Sequence, residues 1–320
     1  MSGYILGFDV GGTKISAVLG KKNGEIVSTL RKPTVRHLGQ GRLLKDFTEM
    51  GWKLLDDNGI SKPDAIGIIF AGLIDSTKGV VLSSPNILGL RNFPVAEKLS
   101  NEFGAEAFLE NDATAATIAE RLFGGGVNVD DFVYITLSTG IGGGAFLNGK
   151  LYRGAHGMAG ELGHMVVMSN GPLCGCGRRG CLEAIAGGKG IARRVSENIT
   201  AIKESEMLSA LKPNEIDAKK VFELKSKGDM FSQLIFEETV YYLAVGIVNI
   251  INILDPEVVI IGGGLSLAGN ELFSPLRNAV REEFKSMYRP VKIIRGLKNG
   301  HDISTIALPL YVKPEIAIEK

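Results

Sequence analysis

The sequence predicts an α/β protein built from two similar halves, and three observations carry that reading. Short, fully apolar runs of the kind that become buried strands alternate with helix-period segments. A strand running into a glycine-rich turn occurs near the start of each half, as FDVGGT and again as TLSTGIGGG. The length, 320 residues, supplies two domains of ordinary size without cross-links. Composition agrees with a globule, at 45% hydrophobic and 22% charged residues. Lys+Arg number 36 and Asp+Glu 35, so no broad basic field draws nucleic acid or an anionic membrane surface. A small molecule is the expected partner.

Taken in order, Tyr4 to Val10 is an apolar run ending in Gly11-Gly12. Glu25 to Arg31 follows the Lys21-Lys22-Asn23-Gly24 turn with β-branched residues, so the chain opens on a hairpin. The approach to Asp9 holds no basic-then-apolar export signal, which makes cytoplasmic residence the expectation. A crossover helix is expected over roughly 41–58. Ala65 to Ala71 reads as a buried strand, and Ala107 to Glu110 as another that runs into Asn111-Asp112 and a helix through about Phe123. Phe132 to Leu137 opens the second half, Gly144 to Leu147 returns after the glycine-rich turn, and Asn148-Gly149 turns again. Residues 190–230 are charged and helical in pattern. Val240 to Leu254 is short for a bilayer span and carries Gly246, Asn249 and Asn252, so it reads as a buried helix. Val258 to Ile261 ends in Gly262-Gly263-Gly264. The expected domains are 1–115, smaller, with a C-terminal helix at about 303–320 packing back on it, and 116–302, larger.

Two glycine motifs imitate better-known ones. Gly140-x-Gly142-x-x-Ala145 matches the dinucleotide fingerprint, but AFLNGKLYRG alternates and turns where that motif needs a helix. Gly144 to Lys150 imitates a P-loop, but Leu151 stands where Ser or Thr must hold magnesium. What remains is a pair of hairpin turns, Asp9 to Lys14 and Ser138 to Gly144. Amides left bare by glycine, with the hydroxyls of Thr13 and Thr139, make anion-binding concavities. Asp9 supplies the negative charge that hydrated magnesium needs, and Lys14 is a candidate phosphate contact. One such turn is equally an ordinary hairpin; one in each half points to nucleotide binding.

The most specific local signal is Glu161-Leu162-Gly163-His164 followed by Cys174-Gly175-Cys176 and Cys181-Leu182-Glu183. Three thiolates and one imidazole satisfy tetrahedral zinc, and the intervening glycines let a short loop wrap the ion. Free thiols or a redox pair fit less well, because all 3 cysteines cluster beside a histidine. Four protein ligands leave no position for water, so the zinc is structural, and a histidine bound through one nitrogen presents the other to a substrate. Asn111-Asp112 ends a buried strand, where Asp caps the following helix, acts as a general base, or does both. His37, His156 and His301 have no role here beyond solvent or packing.

These elements in this order resemble the ROK family of sugar kinases and repressors, from Asp9 to about Gly264. The most specific part, ELGHMVV and GPLCGCGRRGCLEA, is similar to the glucokinase branch. The resemblance implies the two-domain actin-like ATPase (ribonuclease H-like) fold with a zinc-binding loop. It makes Asn111 a sugar ligand and Asp112 the general base, with Glu161, His164 and Glu183 on sugar hydroxyls. Gly72 and Asn86, in FAGLID and SSPNILGL, fall in further sugar-site segments, and His164, Cys174, Cys176 and Cys181 bind zinc. Asp9, Gly11, Gly12, Thr13, Lys14, Thr139, Gly140 and Gly142 serve ATP and Mg2+, and Gly263 and Gly264 in GGGLSLAG resemble the adenosine-side loop. The chain departs from the branch at Ala186-Gly187-Gly188, where Ala-Ser-Gly is frequent, and at Leu90, where an aromatic residue is. Both bear on the choice of sugar.

The expected activity is transfer of the γ-phosphoryl group of ATP to the 6-hydroxyl of a hexose held between the domains. Glucose is the first acceptor, and N-acetylmannosamine or N-acetylglucosamine the alternative. A sugar-sensing repressor would carry a helix-turn-helix ahead of Asp9, for which there is no room. A sugarless ATPase of this fold has no use for the His-Cys cluster and Glu183. The expected assembly is a homodimer or homotetramer.

Overall fold

Alternate side chains of β1 (Tyr4–Val10) meet different neighbours, which is why the strand, Asp9 apart, is apolar on both faces rather than at every second residue. Leu6, Phe8 and Val10 join the core under α1 (Gly39–Asp57), with the rings of Phe8 and Phe47 4.9 Å apart. Ile5 and Gly7 lie under the C-terminal helix Gly300–Val312, where a Cβ on Gly7 would fall 2.0 Å from Thr305 Oγ1. The computed structural model describes residues 3–35, 39–287 and 289–317, so His37 lies outside the described residues.

Contacts divide the chain into Met1–Val127 with Asn299–Lys320, and Asn128–Lys298. In the first unit β2 (Lys14–Lys21) and β3 (Ile26–Pro33) extend β1 antiparallel, while β4 (Ala65–Phe70) adds to it in parallel. A small antiparallel sheet follows, β5 (Leu73–Asp75), β6 (Val80–Ser83) and β7 (Arg91–Phe93). Then come α2 (Val95–Phe103), β8 (Glu106–Asn111) parallel to β4, and α3 (Asp112–Phe123). The order of the main sheet is β3-β2-β1-β4-β8. The sequence reading sets the division at 115, inside α3; α3 packs on the C-terminal helix, so both belong to the first unit.

The second unit repeats the plan. β9 (Phe132–Leu137), β10 (Ile141–Leu147) and β11 (Lys150–Leu151) are antiparallel, and β12 (Val258–Gly262) and β13 (Lys292–Arg295) follow in parallel, in the order β11-β10-β9-β12-β13. Each sheet therefore runs third strand, second, first, fourth, fifth, which is the internal duplication expected from the two glycine turns. Asn148 and Gly149 both take positive φ, 53° and 71°, as a two-residue hairpin turn requires.

Between β11 and β12 lie α4 (Leu182–Ala186), α5 (Gly188–Ser196), α6 (Ile199–Glu204), α7 (Glu206–Ser209), α8 (Ala218–Ser226) and α9 (Met230–Leu254). Helix α10 (Asn270–Phe284) precedes β13. By length and composition α9 is long and apolar enough to cross a membrane, but 56% of its most apolar window is buried inside the protein. Val240, Leu243, Ala244, Ile247, Ile250 and Ile251 join Val133, Ile135 and Leu137 of β9 in one core. Gly246 belongs to that packing, since a Cβ there would stand 2.7 Å from Leu182.

Candidate active site

Parallel strands send their carboxyl ends to one edge of a sheet, and the loops beyond that edge are where α/β proteins bind ligands. In the first unit β1, β4 and β8 are parallel neighbours, with Asp9 beside Ile69 and Phe70 beside Asn111. Asp9, Gly72, Asn111 and Asp112 thus share one edge. Asp9 is only 5% exposed. Burial pushes its carboxyl up to about 6; Asp112 and Asp302 push the same way, while His301 and Lys14 pull it back. No side-chain hydrogen bond or ion pair among the described residues holds this carboxylate, a state that suits a cation ligand. Ser16, its cross-strand partner, has a buried hydroxyl with no hydrogen-bond partner.

The turn after Asp9 is closed by Gly11 N donating to Lys14 O at 3.0 Å and by Thr34 Oγ1 donating to Gly11 O at 2.8 Å. Gly12, Thr13 and Lys14 are exposed, and the amides of Gly12 and Thr13 have no acceptor among the described residues. The turn thus presents unpaired donors, as an anion cradle needs. Asn86 lies against it, since a Cβ on Gly12 would fall 3.1 Å from Asn86 Oδ1. Gly72 has φ +145°, and a Cβ there would meet Ser83 O at 2.5 Å, so only glycine lets the chain turn back into the small sheet. The cap of α3 is Asn111, one residue before the Asp112 that the sequence suggests; its Oδ1 accepts from Ala113 N at 3.0 Å. Asp112 Oδ1 shares that amide at 2.9 Å, which orients the carboxylate and leaves its second oxygen free of that bond.

In the second unit the turn is shorter than the glycine run suggests. Ser138 N donates to Gly140 O at 3.0 Å, and Gly142, Gly143 and Gly144 already pair with Thr136, Ile135 and Tyr134 inside the sheet. Gly143 and, beyond the run, Gly163 answer to packing: a Cβ on Gly143 would fall 2.5 Å from Leu162 Cδ1, and one on Gly163 2.0 Å from Ile141 O. The short 3-10 turn Leu162–His164 can therefore rest on β10 and place His164. Gly263, φ +84°, follows β12, whose Gly262 is the parallel neighbour of Thr136. The Gly263-Gly264 loop and the Ser138–Gly140 turn accordingly leave adjacent strand ends.

His164, Cys174, Cys176 and Cys181 bring their ligand atoms within 4.8 Å of one another. Cys174 Sγ lies 3.6 Å from His164 Nδ1, and Cys176 Sγ 3.7 Å from Cys181 Sγ. A tetrahedron with Zn–S of about 2.3 Å and Zn–N of about 2.0–2.1 Å has edges of about 3.6 and 3.8 Å, so the residues fit zinc in a closed, four-ligand site. The loop is prearranged by Cys174 N donating to Arg178 O at 2.8 Å and by Arg178 NH2 donating to His164 O at 2.6 Å. The amide of Arg178 draws the Cys176 thiol down to about 6, while burial pushes Cys181 up to about 12. The set offers one ready thiolate and thiols that a dication must deprotonate. With Nδ1 turned to the cysteines, His164 Nε2 lies 3.8 Å from Glu161 Oε2. Glu183 Oε2 accepts from Ile141 N at 3.0 Å, a contact with no sequence signal, since the pair are 42 residues apart. His301 and Asp302 near Asp9 are equally silent in the sequence, being brought there only by the C-terminal helix.

Two units of one duplicated sheet, each with a glycine turn at the carboxyl end of its first strand, define a two-domain ATPase of the actin-like fold. More particularly, the chain belongs to the ROK family, which it matches over residues 5–306. It is 39% identical over 277 residues to a glucokinase of Thermotoga maritima, covering 86% of each chain. It is 34% identical to an N-acetylmannosamine kinase of Haemophilus influenzae, covering 98% of this chain and 97% of that one. A ROK family glucokinase from Streptomyces griseus, solved in complex with glucose and AMPPNP, superposes with a TM-score of 0.79 at 30% identity, covering 96% of this chain and 99% of that one.

Proposed function

We propose that this chain is an ATP-dependent hexose kinase that phosphorylates the 6-hydroxyl, with glucose as the leading acceptor. The observation that carries the reading is the pairing of a bare-amide turn beside buried Asp9 with Asp112 at the same sheet edge, in a chain whose relatives include glucokinases. Asp112 accepts the proton of the 6-hydroxyl as its oxygen bonds to the γ-phosphorus and the bond from that phosphorus to the β-phosphate bridging oxygen breaks, releasing ADP. Asn111 keeps its amide N–H groups for a sugar hydroxyl because only its oxygen serves the helix cap. Glu161, His164 and Glu183, with Gly72 and Asn86, complete the proposed sugar ligands. The turns at Gly11 to Lys14 and Thr139 to Gly142, and the Gly263-Gly264 loop, receive the nucleotide. Magnesium, held with the nucleotide by Asp9, would neutralise phosphate charge; zinc on His164, Cys174, Cys176 and Cys181 would serve as structure only.

N-acetylmannosamine is the second reading, favoured by the Haemophilus relatives. A panel of hexoses with ATP, read by ADP release, decides between them: glucose turning over fastest supports the first reading, and an N-acetylated hexose doing so replaces it. Cys176→Ser is expected to lose zinc by elemental analysis and to weaken sugar binding with it, because the metal loop carries His164. Cytoplasmic residence and a homodimer or homotetramer are part of the proposal, checked by fractionation and by light scattering.

A further inference from the structure

In the second unit the metal loop and the nucleotide turn meet at one side chain. Glu183 Oε2 accepts from Ile141 N at 3.0 Å, the amide at which the turn becomes β10. Its other oxygen, Oε1, lies 3.8 Å from Cys174 Sγ. The fit is tight, since a Cβ on Gly140 would stand 2.2 Å from Oε2. The backbone just beyond Glu183 grips the same turn: Gly188 N donates to Ser138 O at 2.8 Å and Lys189 N to Thr139 O at 2.9 Å. Glycines at 187 and 188 permit that approach, because Cβ atoms there would meet Glu183 O at 2.6 Å and Ser138 O at 2.7 Å.

A carboxylate that only bound sugar would need none of these contacts to the turn. We infer that Glu183 is a positioning residue for the nucleotide: it ties the Ser138–Ile141 turn to the metal loop, so that the order imposed by the zinc ligands reaches the phosphate-binding amides. This rests on the reading of that turn as part of the nucleotide site. Three links support the chain of effect. Cys181 of the proposed zinc set stands two residues before Glu183, Leu182 N donates to Met165 O at 2.8 Å, and Leu182 is seated against Gly246 of α9. The backbone that carries the carboxylate is thereby fixed on both sides.

The test is calorimetric binding of a non-hydrolysable ATP analogue to the full chain without sugar, with zinc content measured on each sample and KM for hexose on each variant. Glu183→Ala is expected to weaken analogue binding about tenfold, the loss of one charge-assisted hydrogen bond, while retaining zinc. Glu183→Gln, whose amide oxygen can still accept from Ile141 N, is expected to stay within about twofold of wild type while its KM for hexose rises. If Glu183→Ala does not fold, Glu183→Asp keeps the charge but is one methylene too short to reach the amide, and its analogue affinity should fall likewise. Unchanged analogue affinity in Glu183→Ala, or in Glu183→Asp standing in for it, overturns the inference, and a raised KM for hexose alone leaves Glu183 as a sugar ligand only. Equal loss in Glu183→Gln and Glu183→Ala also overturns it. A wild-type chain that binds no analogue overturns the nucleotide reading and this inference with it.

Discussion

At the end of β1 the first unit places an acid inside the hairpin itself, Asp9, buried and without a hydrogen-bonding partner among the described residues. At the matching end of β9 the hairpin holds only Ser138, Thr139 and Gly140, and the acid, Glu183, comes from beyond the metal loop with one oxygen already bonded to Ile141 N. The two sheets have the same strand order and both turns offer bare amides. Duplication has kept the backbone device, while the charge beside it differs: one carboxylate has no side-chain partner among the described residues, the other accepts from the turn at Ile141 N. The second turn is supported from outside because its hairpin is shorter, with Gly142 to Gly144 already inside β10.

The comparison yields predictions of decreasing size. Asp112→Asn is expected to lower kcat by about 10²-fold or more while the chain stays folded, since Asn111 supplies the cap and an amide cannot take the hydroxyl proton. Steady-state kinetics beside a thermal melt checks it, and near-normal turnover would reduce Asp112 to a structural residue. Asp9→Asn tests the buried, unbonded charge. With its carboxyl held at about 6, above its ordinary 3.8, folded Asp9 keeps a proton that the unfolded chain loses. Stability is therefore fully present below about pH 4, falls as pH rises towards 6, and at pH 7 carries a cost of the order of 2–3 kcal/mol. Without nucleotide or magnesium, Asp9→Asn should melt higher than wild type at pH 7 and close to it at pH 4. A lower melting temperature at pH 7 would mean that the carboxylate is stabilised by contacts in the free protein.

The turns themselves give the smaller effects. Gly140→Ala drives a methyl group to 2.2 Å from Glu183 Oε2 and should destabilise by about 1–3 kcal/mol in a urea titration. Gly12→Ala meets Asn86 Oδ1 at 3.1 Å, the end of a movable side chain on an exposed turn, and should cost less than about 1 kcal/mol. Equal losses would show that the first turn is as tightly braced as the second.

Much of this was legible in the sequence for a physical reason. Strands buried on both faces are nearly continuous apolar runs, so β1, β4 and β9 stand out, and a candidate metal cluster shows in residue type and spacing alone. The strands that Gly72 leads into and that flank Asn86, β5 to β7, are three or four residues long and mixed in character, too short for a period to show. Glycine reads the same whether it bares an amide or makes room for a neighbour, so the packing roles of Gly143 and Gly163 against Leu162 and Ile141 emerge only in three dimensions. The same holds for His301 and Asp302 around Asp9, which depend on a helix nearly 300 residues away in the chain.

That helix has a consequence for how the protein is made. Ile5 and Val18 are covered by Ile306 and Leu310, and α3 by the same C-terminal helix, yet the whole of Asn128–Lys298 is translated in between. At roughly 5–20 residues per second the ribosome takes on the order of ten to thirty seconds over that stretch, during which the first unit waits with an uncovered sheet face. The second unit, continuous in the chain, can close first. A nascent chain whose residues up to Lys298 have left the ribosome should accordingly be protease-sensitive up to Val127 and resistant beyond Asn128, with protection of the N-terminal segment arriving only when the residues up to Val312 have left it as well.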